Sequence, residues 1–123
     1  MTTPCMIATH VEHQSYRFIV CQNDGYDAGK GVGPTLRQFF NSQVLAEELT
    51  ALGDISGLWE GKVTAYHRDL GERWERNRPR YTYTLEMVRV IAWQSNIAYL
   101  YVFEDGHWQR HDILNKPLIN TRA

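Results

Sequence analysis

The chain has 123 residues, one compact domain's worth, and a domain of that size buries about two-thirds of its unfolded surface and needs no staples. Apolar residues at 43% and charged residues at 22% exclude a disordered chain, a collagen and a disulfide miniprotein, and no uncharged apolar run approaches the ~20 residues of a membrane span. Thirteen basic and fourteen acidic side chains give a net charge of −1, so the molecule as a whole is no obvious nucleic-acid binder.

The opening Met1-Thr-Thr-Pro-Cys5 lacks a charged start followed by an apolar run, so no secretory signal is expected. Cys5 and Cys21 are too few for a disulfide framework and have no C-x-x-C spacing, which makes a reducing cytosol the expected compartment. Met6–Val11 and Tyr16–Gln22 are β-prone runs joined by Glu12–Ser15, a hairpin whose open end brings Cys5 and Cys21 together. They meet there either as a disulfide or, as the compartment favours, as two buried thiols.

Asn23–Gly33 is a loop with glycines at 25, 29, 31 and 33. Pro34 opens a helix with Leu36, Phe39 and Phe40 as its apolar stripe. Asn41 or Ser42 caps a second helix over Gln43–Leu52, with Val44, Leu45, Leu49 and Leu52 inward and Gly53 at its left-handed end. Asp54–Gly61 reads as a connection, Lys62–His67 as a short strand and Arg68–Arg80 as a solvated loop with arginines at 68, 73, 76, 78 and 80.

Tyr81–Gln94 carries two periodicities. Tyr81, Tyr83, Leu85 and Met87 alternate as in a strand, whereas Thr84 caps a helix with Leu85, Val88 and Ala92 or Ile91 on one face. The reading taken here is a strand to Thr84, then a helix ending near Asn96. Asp105-Gly106 joins Ile97–Glu104 to His107–Leu114 as a hairpin. Its register pairs Glu104 with His107, Phe103 with Trp108, Tyr101 with Arg110 and Tyr99 with Asp112. Asn115–Ala123 reads as a tail.

These elements specify one α+β domain over 1–123, a small antiparallel sheet of about five strands with two to three helices on one face. One side of the terminal hairpin carries Tyr99, Tyr101, Phe103 and Trp108 with Arg110; the other carries Leu100 and Val102. Helices on one face leave the other uncovered, and a two-fold dimer through that surface is expected.

Four groups of residues bear on chemistry. The glycine loop, with Asp24, Tyr26 and Lys30, sits before a helix N-terminus, where backbone N–H groups cradle phosphate; it lacks the ending of a P-loop. His67, Asp69 and Glu72, with Arg68 to hold an anion, have the residue types of a general base oriented by a carboxylate. Arg73, Arg76, Arg78 and Arg80 with Trp74, Tyr81 and Tyr83 pair cations with stacking surfaces, as single-stranded nucleic-acid binders do, but Glu72 and Glu75 dilute the charge. Residues 1–67 hold four basic and seven acidic groups and residues 68–123 hold nine and seven, so the positive charge lies in the second half. His10 with His13, and His107 with His111, have metal-like spacing but match no zinc pattern, and no metal or cofactor is assigned.

Several stretches in order resemble a family of small uncharacterised proteins from phages, integrated prophages and other mobile elements. They are Asn23-Asp-Gly-Tyr26 with Gly31-Val-Gly-Pro-Thr-Leu36, similar to "HWDGYP" and a following helix, and Ala51-Leu-Gly-Asp-Ile-Ser-Gly-Leu58, similar to "LGDISSL". Thr64-Ala-Tyr-His-Arg-Asp-Leu-Gly-Glu72 is similar to "TxAYHRDRGE", and Tyr101-Val-Phe-Glu-Asp-Gly-His-Trp108 to "YLFKDGKW". The likeness spans about residues 5–112 and departs at Gln22-Asn23, where the family often has His-Trp, at Gly57 and at Leu70. It implies a phage accessory gene or integron cassette and hands over no activity. The expected function is binding without catalysis, through the open sheet face and residues Asp24, Tyr26, Lys30, Arg68, Tyr99, Tyr101, Trp108 and Arg110. The partner is a second copy, a host protein or a small anionic ligand. The competing readings are a hydrolase at His67, Asp69 and Glu72, and a nucleic-acid binder using the Arg68–Arg80 loop.

Overall fold

The computed structural model describes residues 3–12 and 15–114; the expected tail over 115–123, residues 13–14 of the first loop and His13 lie outside them. Strands β1 (Cys5–Val11) and β2 (Ser15–Cys21) form the expected hairpin, with Cys5 opposite Cys21. Both are buried free thiols, and burial followed by the hydrogen bond with Cys21 pushes the Cys5 thiol well up.

Helix α1 (Val32–Phe39) starts two residues before Pro34 and buries Val32 and Leu36, leaving Phe39 exposed. Helix α2 (Gln43–Ala51) is capped by the Ser42 hydroxyl, which accepts from the Leu45 N–H at 3.2 Å. Its inward face is Ala46, Leu49 and Thr50, whereas Val44 and Leu45, expected in the core, are exposed. Arg17 fixes this rotation by donating to the Thr50 hydroxyl at 3.0 Å and the Glu47 carbonyl at 2.6 Å. Small side chains at 46 and 50 then let the helix approach the sheet.

Asp54–Gly61 is not a connection. Ile55–Trp59 is strand β3, which turns into β4 (Lys62–Ala65). The Arg68–Arg80 segment is mostly exposed, as expected, but contains a single helical turn, α3 (Trp74–Asn77), and ends in β5 (Arg80–Thr82). The strand-then-helix reading of 81–94 holds: α4 (Leu85–Gln94) is capped by Thr84, whose hydroxyl accepts from the Met87 N–H at 3.1 Å. Strands β6 (Tyr99–Glu104) and β7 (His107–Asp112) have the expected register across Asp105-Gly106, both at positive φ.

The fold is α+β. Its sheet has seven strands, ordered β4-β3-β2-β1-β6-β7, with β5 also paired to β2. It is mixed, not antiparallel, because β6 runs parallel to β1, and β3 parallel to β2 at the single pair Cys21 and Ile55. The helices lie on both faces. Helices α1 and α2 cover Ile7, Ile19, Tyr101, Phe103 and Trp108, and α4 covers Met6, Ala8, Phe18, Leu100 and Val102.

This corrects the one-sided arrangement. After β5, at the β2 edge, the chain has to pass β2 and β1 to reach the position of β6, and α4 is that crossing. The open sheet face expected to carry a dimer is therefore filled by the chain itself. Among the described residues no helix is long and apolar enough to cross a membrane.

Candidate functional site

The residues proposed from sequence separate into structural roles. In the turn after β4, Asp69 accepts from the Ala65 N–H at 2.7 Å and takes both arms of Arg68 at 2.9 and 2.8 Å. The Arg68 bond first, then the Ala65 N–H, hold the Asp69 carboxyl below its usual range. His67 Nδ1 meets the Glu72 backbone carbonyl at 2.7 Å, and since a carbonyl only accepts, Nδ1 donates. Its ring rests on Trp74, with centroids 5.2 Å apart. Neither carboxylate orients the imidazole, so the general-base set of His67, Asp69 and Glu72 is not assembled; these groups lock a turn.

The glycine loop lies elsewhere. Tyr26 donates to Asp24 at 3.3 Å, the Trp59 indole N–H also donates to Asp24, and Lys30 pairs with Glu60 at 3.3 Å. These contacts anchor the loop to the β3–β4 turn, at the opposite end of the roughly 10 Å long β4 from the turn that holds His67. The two loops do not share a cleft.

Nor does the loop offer a phosphate cradle. The N–H groups of Gly31, Val32 and Gly33 bond to the carbonyls of Ala28, Asp24 and Tyr26, and Pro34 has none. Asp27 already occupies the place of an anion at this helix start: a Cβ on Gly33 would sit 2.1 Å from its carboxylate.

The aromatic residues of the terminal hairpin are core. Tyr101 is fully buried and donates to the Gly25 carbonyl at 2.8 Å, and Trp108 donates to the Phe40 carbonyl at 3.0 Å. Arg110 lies over Tyr99 and pairs with Asp27 at 3.1 Å and Asp112 at 2.9 Å. Tyr101 and Trp108 are thus buried in the core, whereas Tyr99 is half-buried and Arg110 exposed. Among the described residues no three His, Cys, Asp or Glu side chains converge as a metal set.

What the fold does assemble is a groove of about 510 Å³ between the edge of β2 and the α3–β5 segment. It is lined by Arg17, Ala51, Trp74, Arg78, Pro79, Arg80 and Tyr81, without a carboxylate. The β2–β5 ladder sets Arg17 opposite Tyr81 and Phe18 opposite Arg80. Arg17 donates to neutral oxygens of α2, and among the described residues no carboxylate pairs with Arg78. Arg80 alone is neutralised, by Asp54 at 2.8 Å, and its guanidinium lies 5.6 Å from the Phe18 ring centre.

Asp54 ties Arg80 to β2. Strand β2 pairs with β5 at one end and β3 at the other, and the Val20 N–H falls in the gap. Asp54 fills it, accepting from Val20 at 2.9 Å and from Arg80 through the same oxygen. Asp54→Ala leaves a half-buried donor unpaired, so denaturant unfolding is expected to show a loss of about 1 kcal/mol; a loss below a few tenths would mean that another acceptor takes over.

Trp74, Arg78, Arg80 and Tyr81 belong to the cationic–aromatic segment singled out from sequence, but Arg17 was missed. Its one signal is a lone arginine within the apolar strand Tyr16–Cys21. Comparison of the chain with protein-family models, curated proteins and solved structures finds no match.

Proposed function

We propose that this chain is a non-catalytic binding module, a cytoplasmic accessory protein of a mobile genetic element, and that its site is the Arg17–Arg78–Arg80 groove, which takes an anionic ligand. The observation that carries the reading is charge imbalance. Two guanidiniums without a carboxylate partner face one concave surface whose lining contains no acid. Such cations are poised for charge-assisted bonds to phosphate or carboxylate oxygens, about twice as strong as neutral ones. The setting in a mobile element rests on the motif resemblance, and the reading without catalysis on the turn in which Asp69 is taken by Arg68 and the Ala65 N–H while His67 meets the Glu72 backbone carbonyl.

Calorimetric titration with inorganic triphosphate tests the site. The chain is expected to bind it, and Arg78→Glu to bind about tenfold more weakly or worse with an unchanged circular dichroism spectrum. Equal binding by the variant and the parent would remove the groove from the reading, as would no binding by either.

A further inference from the structure

We infer that the anion taken by the groove is a single-stranded nucleic acid, its phosphates on Arg17 and Arg78 and its bases on Trp74 and Tyr81; this rests on the groove reading above. Small anions would need only the guanidiniums. This groove is lined by two large aromatic side chains that the core does not use: Trp74 is 38% exposed and Tyr81 59%. The β2–β5 register sets Tyr81 opposite Arg17, so the two side chains lie on the same face of the sheet.

Strand β5 ends the β2 side of the sheet here, so Tyr81 lies on an edge with room for an extended chain. Arg76, one helical turn from the groove, has no carboxylate partner among the described residues and extends the cationic track. Acids lie nearby, but Glu75 is pulled toward Arg73 at 3.6 Å and Glu47 takes the Gln43 amide. Cations that follow a backbone and aromatics that accept any base are the two parts of sequence-tolerant single-strand recognition.

Fluorescence anisotropy with a labelled oligothymidine, and separately an oligouridine, of about eight nucleotides tests this. Binding is expected to saturate and to weaken with salt at a slope of about −2 on a double-logarithmic plot, for three phosphate contacts on a single strand. Arg78→Ala is expected to flatten that slope by about 0.7. Tyr81→Ala, at an exposed position, is expected to weaken binding about tenfold while leaving the slope alone, and Tyr81→Phe to retain it.

Oligonucleotide binding indifferent to Tyr81→Ala would overturn the inference while the groove stands. So would triphosphate binding with no oligonucleotide binding, or a blunt duplex binding as well as a single strand. Failure of both triphosphate and oligonucleotide would overturn the groove reading itself.

Discussion

Gly53→Ala is expected to lower the melting temperature by about 10 °C or more, the largest effect of any single methyl added to this chain. Gly53 has φ +82, where a Cβ costs about 1–2 kcal/mol. A Cβ there would also sit 2.2 Å from the Asn77 carbonyl oxygen, a contact that backbone must yield to relieve. That carbonyl accepts from the Asp54 N–H at 2.7 Å, so displacing it drags Asp54 from the Val20 N–H and from Arg80. Overpacking of this kind adds about 1–3 kcal/mol.

Gly71 supplies the control. It has φ +73 but no atom near its missing Cβ, so Gly71→Ala is expected to cost the conformational part alone, about 1 kcal/mol. Thermal unfolding of both variants reads the difference. Equal losses would mean that the contact with Asn77 is relieved at no cost and that Gly53 is required for its φ only. A full loss at Gly53 carries a corollary: α3, and with it Trp74 and Arg78, is positioned from the end of α2.

The same residues show why much of the fold was legible and the site was not. Gly53 was assigned its left-handed role, Thr84 its cap and Asp105-Gly106 its turn, because each requirement is local. The β6–β7 register followed from the turn alone. The stretches set beside mobile-element proteins in the sequence contain Gly53, Asp54, Asp69 and Asp105-Gly106, whose roles here are turns and bonds to backbone N–H groups, so a likeness at these positions would bear on architecture and not on activity.

Strand β3 was missed because Gly57 and Ser56 interrupt its alternation; its strand character comes from pairing with β4, a tertiary fact. The placement of α4 on the far face was missed for a related reason. The amphipathic pattern of 85–94 shows that one side is buried but not against which surface, and only the parallel placement of β6 beside β1 sends it across the sheet. Arg17 joins Arg78 and Arg80 through β2–β5 pairing between segments more than sixty positions apart, which no spacing along the chain announces. Arg37 and Asp27, ten positions apart, likewise meet through the folding of the loop before α1 and not through any spacing that marks a pair.

Asp27→Asn is expected to cost about 2 kcal/mol at neutral pH, because one carboxylate serves two cations. Arg37 reaches it through both arms at 2.6 and 3.1 Å, and Arg110 adds a third bond at 3.1 Å. The Asp27 side chain is only 12% exposed, whereas the arginines are nearly half exposed, so the loss falls short of that for a fully buried pair. An amide keeps the shape but turns an NH₂ toward a guanidinium. Helix α1 would then lose its tie to β7 and the anionic group at its first turn.

The dependence on acidity separates charge from packing. The Arg37 bond, foremost, holds the Asp27 carboxyl below its ordinary 3.8 in the folded chain. A carboxyl lowered on folding stabilises fully above its unfolded value, and that stabilisation is lost as pH falls through the folded one. The stability difference between the parent and Asp27→Asn should therefore be complete at neutral pH and should shrink as pH drops below about 4. Denaturant unfolding at neutral pH and at about pH 3 measures it. A gap of the same size at both would show that the amide fails by fit and not by charge, and the ion-pair account of how α1 is fastened to β7 would be wrong.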